Sequence, residues 1–149
     1  MRAVVQRVEE ASVEVDGETV GAMGTGLLAL VGVGTDDGAH DAREMARKLV
    51  HLRIFEDDEG LMNRSLLDVG GTLGVVSQFT LFGDCRKGRR PSFGQAAGPE
   101  VAEPLVDAVV LAAEALGVSV VTGRFRTTMR VSLVNQGPVT LLLDTQKQF

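Results

Sequence analysis

The chain has 149 residues, of which 44% are hydrophobic, and this length and composition suit one domain with a core of its own. Its formal net charge of −5 argues against a protein that coats nucleic acid indiscriminately, because such proteins are usually basic throughout. One cysteine, Cys85, excludes an intrachain disulfide and a zinc site built from several cysteines of the chain. We therefore expect a single domain over residues 1–149.

The sequence indicates neither a signal peptide nor a membrane span. The first residues alternate between polar and apolar types and lack the apolar stretch of about 7 to 15 residues that is typical of a signal peptide. No apolar run approaches the length of about 18 residues that indicates a membrane helix. The sequence therefore predicts a soluble, cytoplasmic protein without a membrane partner.

The first predicted elements are strands. Residues 2–8 and 12–15 alternate between polar and apolar side chains. The pair Asp16-Gly17 is a two-residue hairpin signal, and it leads into a further strand over 18–22. The opening of the chain is therefore predicted to be an antiparallel meander.

The middle of the chain alternates between strand and helix patterns. Residues 27–33 form a continuous apolar run, which is typical of a strand covered on both faces. Apolar residues then recur at helical spacing over 40–52, with charged residues on the opposite face. After an acidic loop, strands are predicted at 65–67 and 73–81.

The last third contains the patterns of one helix and three strands. A helical pattern over 100–116 is stopped by Gly117. Strands are predicted at 118–122, 128–134 and 139–144. Together with the earlier elements, this order predicts an α+β fold of mainly antiparallel strands with two helices and no internal repeat.

The strand predicted at 73–81 becomes polar near its end, at Ser77, Gln78 and Thr80, and runs into a basic loop. A basic run that directly follows a polar strand end favours contact with phosphates, and a solvated surface loop is the alternative. The loop carries four positive side chains, Arg86, Lys87, Arg89 and Arg90.

A glycine-proline pair, Gly137-Pro138, interrupts the C-terminal strand pattern. Proline cannot donate to a sheet ladder, and glycine tolerates unusual backbone angles and the close approach of a ligand. An X-Pro bond costs only about 0.5–1 kcal/mol to become cis, and such a turn can hold two carbonyls side by side, in a way that suits an ammonium group. The alternative is a plain hairpin turn that links 129–134 to 139–143.

The sequence does not support cofactor or metal chemistry. The two histidines, His40 and His51, lie on or beside the first predicted helix without the His-Glu-x-x-His spacing of a metal site. The glycines around the strand at 27–33 do not open a helix directly after a strand, so they favour turns over a phosphate-binding loop. We therefore expect no metal, no cofactor and few candidates for a general base.

Three motifs are informative in combination. They are the Ser-Gln-Phe-Thr-Leu run that begins at Ser77, the Lys-Gly-Arg-Arg-Pro-Ser-Phe run that begins at Lys87 and the Asn-x-Gly-Pro-Val-Thr run that begins at Asn135. In this order and spacing they resemble the D-aminoacyl-tRNA deacylases, the D-tyrosyl-tRNA deacylase family. The opening run from Arg2 and the stretch 52–63 extend the resemblance over nearly the whole chain.

The resemblance implies an enzyme that hydrolyses the ester bond of D-aminoacyl-tRNA, and of glycyl-tRNA mischarged on tRNA(Ala), while it rejects the L-form. Such an enzyme performs chiral proofreading, a form of translation quality control. The family's fold is a barrel-like core of mainly antiparallel sheets with two helices. The resemblance also implies a homodimer in which Gly137-Pro138 of one subunit completes the pocket of the other.

The resemblance further assigns the site residues. The catalytic strand end corresponds to Ser77, Gln78, Phe79 and Thr80. Backbone amides near Gln78 and Phe79 would stabilise the oxyanion, while a ribose 2′-hydroxyl of the tRNA helps to activate water. Thr80 matches a threonine once considered a nucleophile, and an orienting role suits it better because no residue is evident that could deprotonate it.

Binding residues follow from the same likeness. Carbonyls of Gly137 and Pro138 that hold the α-ammonium leave room for a D side chain, whereas an L side chain would collide with the backbone. Arg7 matches an arginine thought to hold the Gly-Pro segment, with a solvent-exposed strand arginine as the alternative. The substrate-binding set is Gly137, Pro138, Arg7 and Met129, and the tRNA-binding set is Arg86, Lys87, Arg89 and Arg90.

One segment departs from the family pattern. Members commonly carry Phe-Gly-Ala-Asp-Met where this chain has Phe-Arg-Thr-Thr-Met, at 125–129. Two alternatives to the deacylase stay open: a catalytically silent RNA-binding or replication-associated module, and a free-standing editing domain of the threonyl-tRNA synthetase type. Deacylation of tRNA charged with the D- and L-forms of one amino acid distinguishes the three.

Overall fold

Eight strands, three α-helices and one 3-10 turn make up the computed structural model, which describes residues 1–149. In chain order the elements are β1 (Arg2–Val15), β2 (Glu18–Met23), β3 (Gly26–Gly32), α1 (Ala39–His51), β4 (Phe55–Glu56), β5 (Met62–Arg64), α2 (Leu66–Val69), β6 (Thr72–Ser77), the 3-10 turn (Phe79–Phe82), α3 (Pro99–Ala115), β7 (Ser119–Thr122) and β8 (Arg130–Asp144).

Strand β1 pairs with three other strands. Strands β2, β3 and β8 all run antiparallel to it, and the sheet continues from β3 through β6 to β7 in parallel pairs. Strand β2 approaches β7 so closely that a Cβ atom on Gly21 would lie 2.6 Å from the carbonyl oxygen of Thr122. The sheet is therefore a nearly closed barrel, which confirms the predicted α+β fold with mainly antiparallel pairing.

The hairpin predicted at Asp16-Gly17 is confirmed. Both residues have positive φ angles, of 50° and 79°, as the central residues of a two-residue hairpin turn require. The turn joins β1 directly to β2. The two strands predicted before it, at 2–8 and 12–15, are one continuous strand.

The core lies between the barrel and the two long helices. The buried face of α1, which includes Met45 and Leu49, packs in one cluster with Val5 of β1, Leu27 of β3 and Val109 of α3. Strand β3 is buried along nearly all of its length, as its continuous apolar run predicted. None of the helices is both long and apolar enough to cross a membrane.

The strand predicted at 65–67 is wrong, because these residues begin the short helix α2. The hydroxyl of Ser65 accepts a hydrogen bond from the backbone N–H of Asp68, and the Asp68 carboxylate accepts one from the backbone N–H of Ser65. Hydrogen bonds to the carboxylate from the backbone N–H and the side chain of Ser65 hold the pKa of Asp68 below its usual value. The Ser-x-x-Asp spacing is a helix start signal and outweighs the short apolar pattern.

The strand predicted at 73–81 is too long. Strand β6 ends at Ser77, and the chain then forms the 3-10 turn Phe79–Phe82. The polar residues that the sequence placed inside a strand therefore lie where the chain leaves the sheet.

The two predicted C-terminal strands are one strand, β8. Both halves pair antiparallel with β1, and the register passes from Thr140, opposite Gln6, to Asn135, opposite Val8. Residues 136–139 are the extra residues opposite Arg7, and they form a bulge that we call the Gly-Pro loop. The hairpin alternative is therefore wrong, since a hairpin would pair the two halves with each other.

The contact between β2 and β7 generates a stability prediction. Replacing Gly21 with alanine places a Cβ atom 2.6 Å from Thr122 O and 2.7 Å from Val121 Cγ1, so the strands must move apart. We expect Gly21→Ala to lower the free energy of unfolding by about 1–3 kcal/mol, as other overpacked sites do. Urea unfolding followed by circular dichroism measures the change.

The matched control is Gly24→Ala. No atom lies within 4 Å of a Cβ atom at Gly24, so this variant should unfold like the wild type. Equal stability of the two variants would contradict the tight closure of the barrel at Gly21.

Candidate active site

A cavity of about 590 Å³ lies where β6 ends, beside the start of α3 and the segment that leads into β8. One wall contains all four of the predicted catalytic residues, Ser77, Gln78, Phe79 and Thr80. Another wall is the segment 125–129, which includes Met129. The apolar remainder comes from Val31, Val33, Ala97, Pro99, Ala102 and Val106.

The wall at Ser77–Thr80 is formed by the transition from strand to turn. Gln78 N–H donates to the carbonyl of Val31 at 2.7 Å, so the Gln78 amide, which was expected near the oxyanion, is already paired. The backbone N–H groups of the first residues of such a turn, Phe79 and Thr80, have no acceptor within it. Amides of this kind can donate to the oxyanion of an acyl-transfer reaction.

Thr80 has no base beside it. Its hydroxyl accepts a hydrogen bond from the Gln78 side-chain amide at 3.0 Å. The residues that line the cavity include no aspartate, glutamate, histidine, lysine or cysteine. No side chain of the cavity wall is therefore suited to accept a proton. The wall can instead position a substrate and donate hydrogen bonds to it.

The basic loop is closed by a pair of backbone hydrogen bonds between Asp84 and Ser92, at 2.7 and 3.0 Å. The Arg86 guanidinium donates two hydrogen bonds to the Asp84 carboxylate, at 2.9 and 2.7 Å. These bonds hold the pKa of Asp84 well below its usual range. Arg86 is therefore already paired with Asp84. Three exposed side chains of the loop form no ion pair: Lys87, Arg89 and Arg90.

An aromatic pair connects the basic loop to the cavity. Phe93, which follows the loop, packs edge to face against Phe79 with ring centroids 5.1 Å apart. The Phe79 ring is 57% exposed and belongs to the cavity wall. The free cationic side chains therefore lie on a loop that is anchored beside the cavity.

The Gly-Pro loop is closed at its base by Asn135. Its side-chain oxygen accepts from the Val139 N–H at 2.7 Å, and its side-chain amide donates to the Val139 carbonyl at 3.1 Å. The Gly137-Pro138 peptide bond is cis, and both residues are exposed. The sequence motif includes Asn135, but this role was not predicted from it. An asparagine near a glycine-proline pair is a signal for side-chain closure of a turn.

Arg7 holds the Gly-Pro loop from beneath. Its Nε donates to the Gln136 carbonyl at 3.0 Å, and its Nη1 donates to the Ile54 carbonyl at 2.6 Å. Glu56 lies 3.9 Å from the guanidinium, and Arg7 as a whole is only 6% exposed. The alternative of a solvent-exposed strand arginine is therefore wrong.

The structure does not bring the Gly-Pro loop to the cavity of the same chain. Ser77 pairs with Val31 and Val31 with Ala3, whereas the loop faces Arg7, four residues further along β1. Four residues of a strand span about 13 Å, and β8 lies on the opposite side of β1 from β3. Neither Gly137 nor Pro138 lines the cavity, so the two motifs form separate surfaces of one chain.

Solved structures with the same architecture define the class of fold. A structure described as the c-Myc DNA Unwinding Element Binding Protein superposes with a TM-score of 0.92 at 36% identity, over 97% of this chain and 99% of that one. A second, described as a probable eukaryotic D-amino acid tRNA deacylase, superposes with a TM-score of 0.80 at 19% identity, over 95% and 97%. At that identity the second likeness shows the fold alone.

Sequence comparison defines the family. Residues 4–144 match the family described as D-Tyr-tRNA(Tyr) deacylase. A D-aminoacyl-tRNA deacylase of Thermosipho africanus (strain TCF52B) is 56% identical over 149 residues, which is 100% of both chains. One of Roseiflexus sp. (strain RS-1) is 61% identical over 145 residues, which is 97% of this chain and 94% of that protein. The chain therefore belongs to the D-Tyr-tRNA(Tyr) deacylase family.

Proposed function

We propose that the protein hydrolyses the ester bond of D-aminoacyl-tRNA in the cytoplasm, releasing the D-amino acid and free tRNA, and leaves L-aminoacyl-tRNA intact. Membership of the family over residues 4–144 carries the proposal. The cavity supports it, because its wall includes Phe79 and Thr80, whose amides have no acceptor within the 3-10 turn, and contains no carboxylate or imidazole. Such a site suits a reaction in which a group of the substrate itself helps to activate water.

The mechanism assigns separate roles to protein and RNA. The amides of Phe79 and Thr80 donate to the oxyanion as water attacks the ester carbonyl, and each such donor is typically worth about 2.7–4 kcal/mol. The terminal ribose carries a 2′-hydroxyl next to the ester, and this hydroxyl helps to activate the water. Thr80, whose hydroxyl accepts from the Gln78 side chain, orients the wall and forms no covalent intermediate.

The chiral filter in this proposal is the Gly-Pro loop of a second subunit. The loop is exposed, rigidly closed by Asn135 and distant from its own cavity. In a symmetric homodimer each loop enters the partner's cavity, where carbonyls of Gly137 and Pro138 bind the α-ammonium. A D side chain then has space and an L side chain collides, while glycine, including glycine mischarged on tRNA(Ala), passes the filter.

A nucleic-acid-binding module without catalysis is the second candidate. The likeness that favours it is the 36% identical structure whose name describes binding to a DNA unwinding element. The first experiment below separates the two candidates, because a silent module leaves charged tRNA intact.

The first experiment measures release of amino acid from tRNA charged with D- or L-tyrosine. We expect hydrolysis of the D-ester to exceed that of the L-ester by orders of magnitude, because the filter excludes one enantiomer. Addition of EDTA should leave the rate unchanged if no metal takes part. Equal hydrolysis of both esters, or none of either, would refute the deacylase proposal.

The shared site predicts complementation between two inactive variants. Gly137→Val distorts the loop, because a Cβ atom there would lie 2.7 Å from Val139 Cγ2 at a φ angle of +145°. Thr80→Trp fills the cavity from an exposed wall position. Each homodimer should be inactive, whereas a mixed dimer has one intact cavity facing one intact loop and should recover about half of the wild-type activity.

Co-expression with two different affinity tags allows the mixed dimer to be purified. Circular dichroism of both parent variants is the control for folding. A mixed dimer as inactive as its parent homodimers would refute the proposal of a site shared between subunits.

The basic loop predicts the salt dependence of tRNA binding. The double variant Arg89→Ala with Arg90→Ala should bind tRNA more weakly and reduce the slope of log K against log salt by about 0.7–0.9 per charge removed. The rate at saturating substrate should change little, because phosphate contacts position the RNA without performing chemistry. Filter binding at several salt concentrations measures the slope.

The matched control replaces the internal ion pair, as Asp84→Asn with Arg86→Gln, and leaves the net charge of the loop unchanged. This variant should keep the wild-type slope. If Arg89→Ala with Arg90→Ala gave the same slope as the control, the loop would be solvated surface.

A further inference from the structure

Arg126 is the only charged residue that lines the cavity. It is exposed, and its guanidinium forms neither an ion pair nor a hydrogen bond within the chain. Its two arginine neighbours differ from it: Arg130 lies 3.7 Å from Glu14, and Arg124 lines a different, smaller cavity. The cavity therefore has one cationic end, and the protein does not neutralise it.

The backbone of Arg126 has a left-handed conformation, with φ of +60°. This conformation is costly for an L-residue and such outliers concentrate at functional sites. The turn that imposes it is fixed on both sides, because the Thr127 hydroxyl donates to the Arg124 carbonyl at 2.8 Å and Met129 packs against Gly123. The fold therefore holds a cationic side chain at the rim of the cavity in a position where glycine would be accommodated more easily.

The substrate of the proposed function has charges of opposite sign at its two ends. Its amino acid carries an α-ammonium, and its terminal nucleotide is preceded by a phosphate. An unpaired guanidinium attracts the phosphate and repels the ammonium. Arg126 therefore distinguishes the two orientations in which the substrate could enter the cavity.

We propose that Arg126 is a positioning residue that binds the phosphate on the 5′ side of the terminal nucleotide and thereby directs the ester toward the wall at Ser77–Thr80. This inference rests on the proposed function for the identity of the substrate. In this arrangement the nucleotide lies beside the segment 125–129 and the aminoacyl group lies beside Ser77–Thr80, and both segments line the cavity. Binding affinity for the RNA end, rather than the chemical step, depends on this contact.

The test compares Arg126→Gln, which removes the charge, with Arg126→Lys, which keeps it, and with Arg124→Gln as a matched control two residues away. On D-tyrosyl-tRNA, we expect Arg126→Gln to raise KM about tenfold with kcat nearly unchanged, and to reduce the salt slope by about 0.7. Arg126→Lys should retain most of the affinity, and Arg124→Gln should behave like the wild type.

A phosphate-free substrate separates charge from structure. D-tyrosyl-adenosine has the same ester and nucleoside but no phosphate, so Arg126→Gln should hydrolyse it at the wild-type rate. Equal losses on both substrates, or the same loss in Arg126→Lys as in Arg126→Gln, would show a structural role and overturn the proposal. An unchanged KM and salt slope on D-tyrosyl-tRNA would overturn it as well.

Binding without catalysis distinguishes failure of this inference from failure of the proposed function. The trinucleotide CCA contains the phosphate in question and no aminoacyl ester. The wild type could fail to deacylate D-tyrosyl-tRNA and yet bind CCA about tenfold more tightly than the Arg126→Gln variant does. That result would refute the enzymatic proposal and support the phosphate contact. If the wild type deacylated the substrate and both proteins bound CCA equally, the enzymatic proposal would stand and the phosphate contact would be refuted.

Discussion

The pairing of β1 with three strands is the constraint on which the rest of the structure depends. Through β3, the position of Ala3 determines where Ser77 leaves the sheet, and through β8, the position of Arg7 determines where the Gly-Pro loop emerges. A register shift of one residue in either pair would turn the affected strand's side chains to the opposite face. Both parts of the proposed site therefore derive their positions from one strand.

Elements specified by neighbouring residues could be predicted from the sequence. The Asp16-Gly17 hairpin and helices α1 and α3 depend on turn residues, apolar spacing and a stop at Gly117, all of which lie within one element or next to it. The end of β6 and the continuity of β8 depend instead on pairing with distant strands. A glycine-proline pair looks like the end of a strand, and only β1 shows that the strand continues.

The candidate site likewise has some residues that could be predicted from the sequence and others that could not. The residues Ser77–Thr80 and Met129 were expected in one site through their resemblance to a family, and the structure places them in the walls of one cavity. The burial of Arg7 depends on carbonyls of Gln136 and Ile54, which lie far from it in sequence, so no local pattern could indicate it. The conformation of Arg126 is likewise invisible in the sequence, since arginine gives no signal for a left-handed backbone.

The four-residue bulge in β8 also separates two kinds of mutational constraint. The strand pairs with β1 on both sides of the bulge, and Asn135 and Arg7 bind its base, so the exposed tip contributes little to the barrel. Substitutions at the tip change the shape that a ligand or partner meets, while those at the base change stability. The shape of the tip can therefore change without a change in the fold, whereas residues of the base should tolerate far less variation.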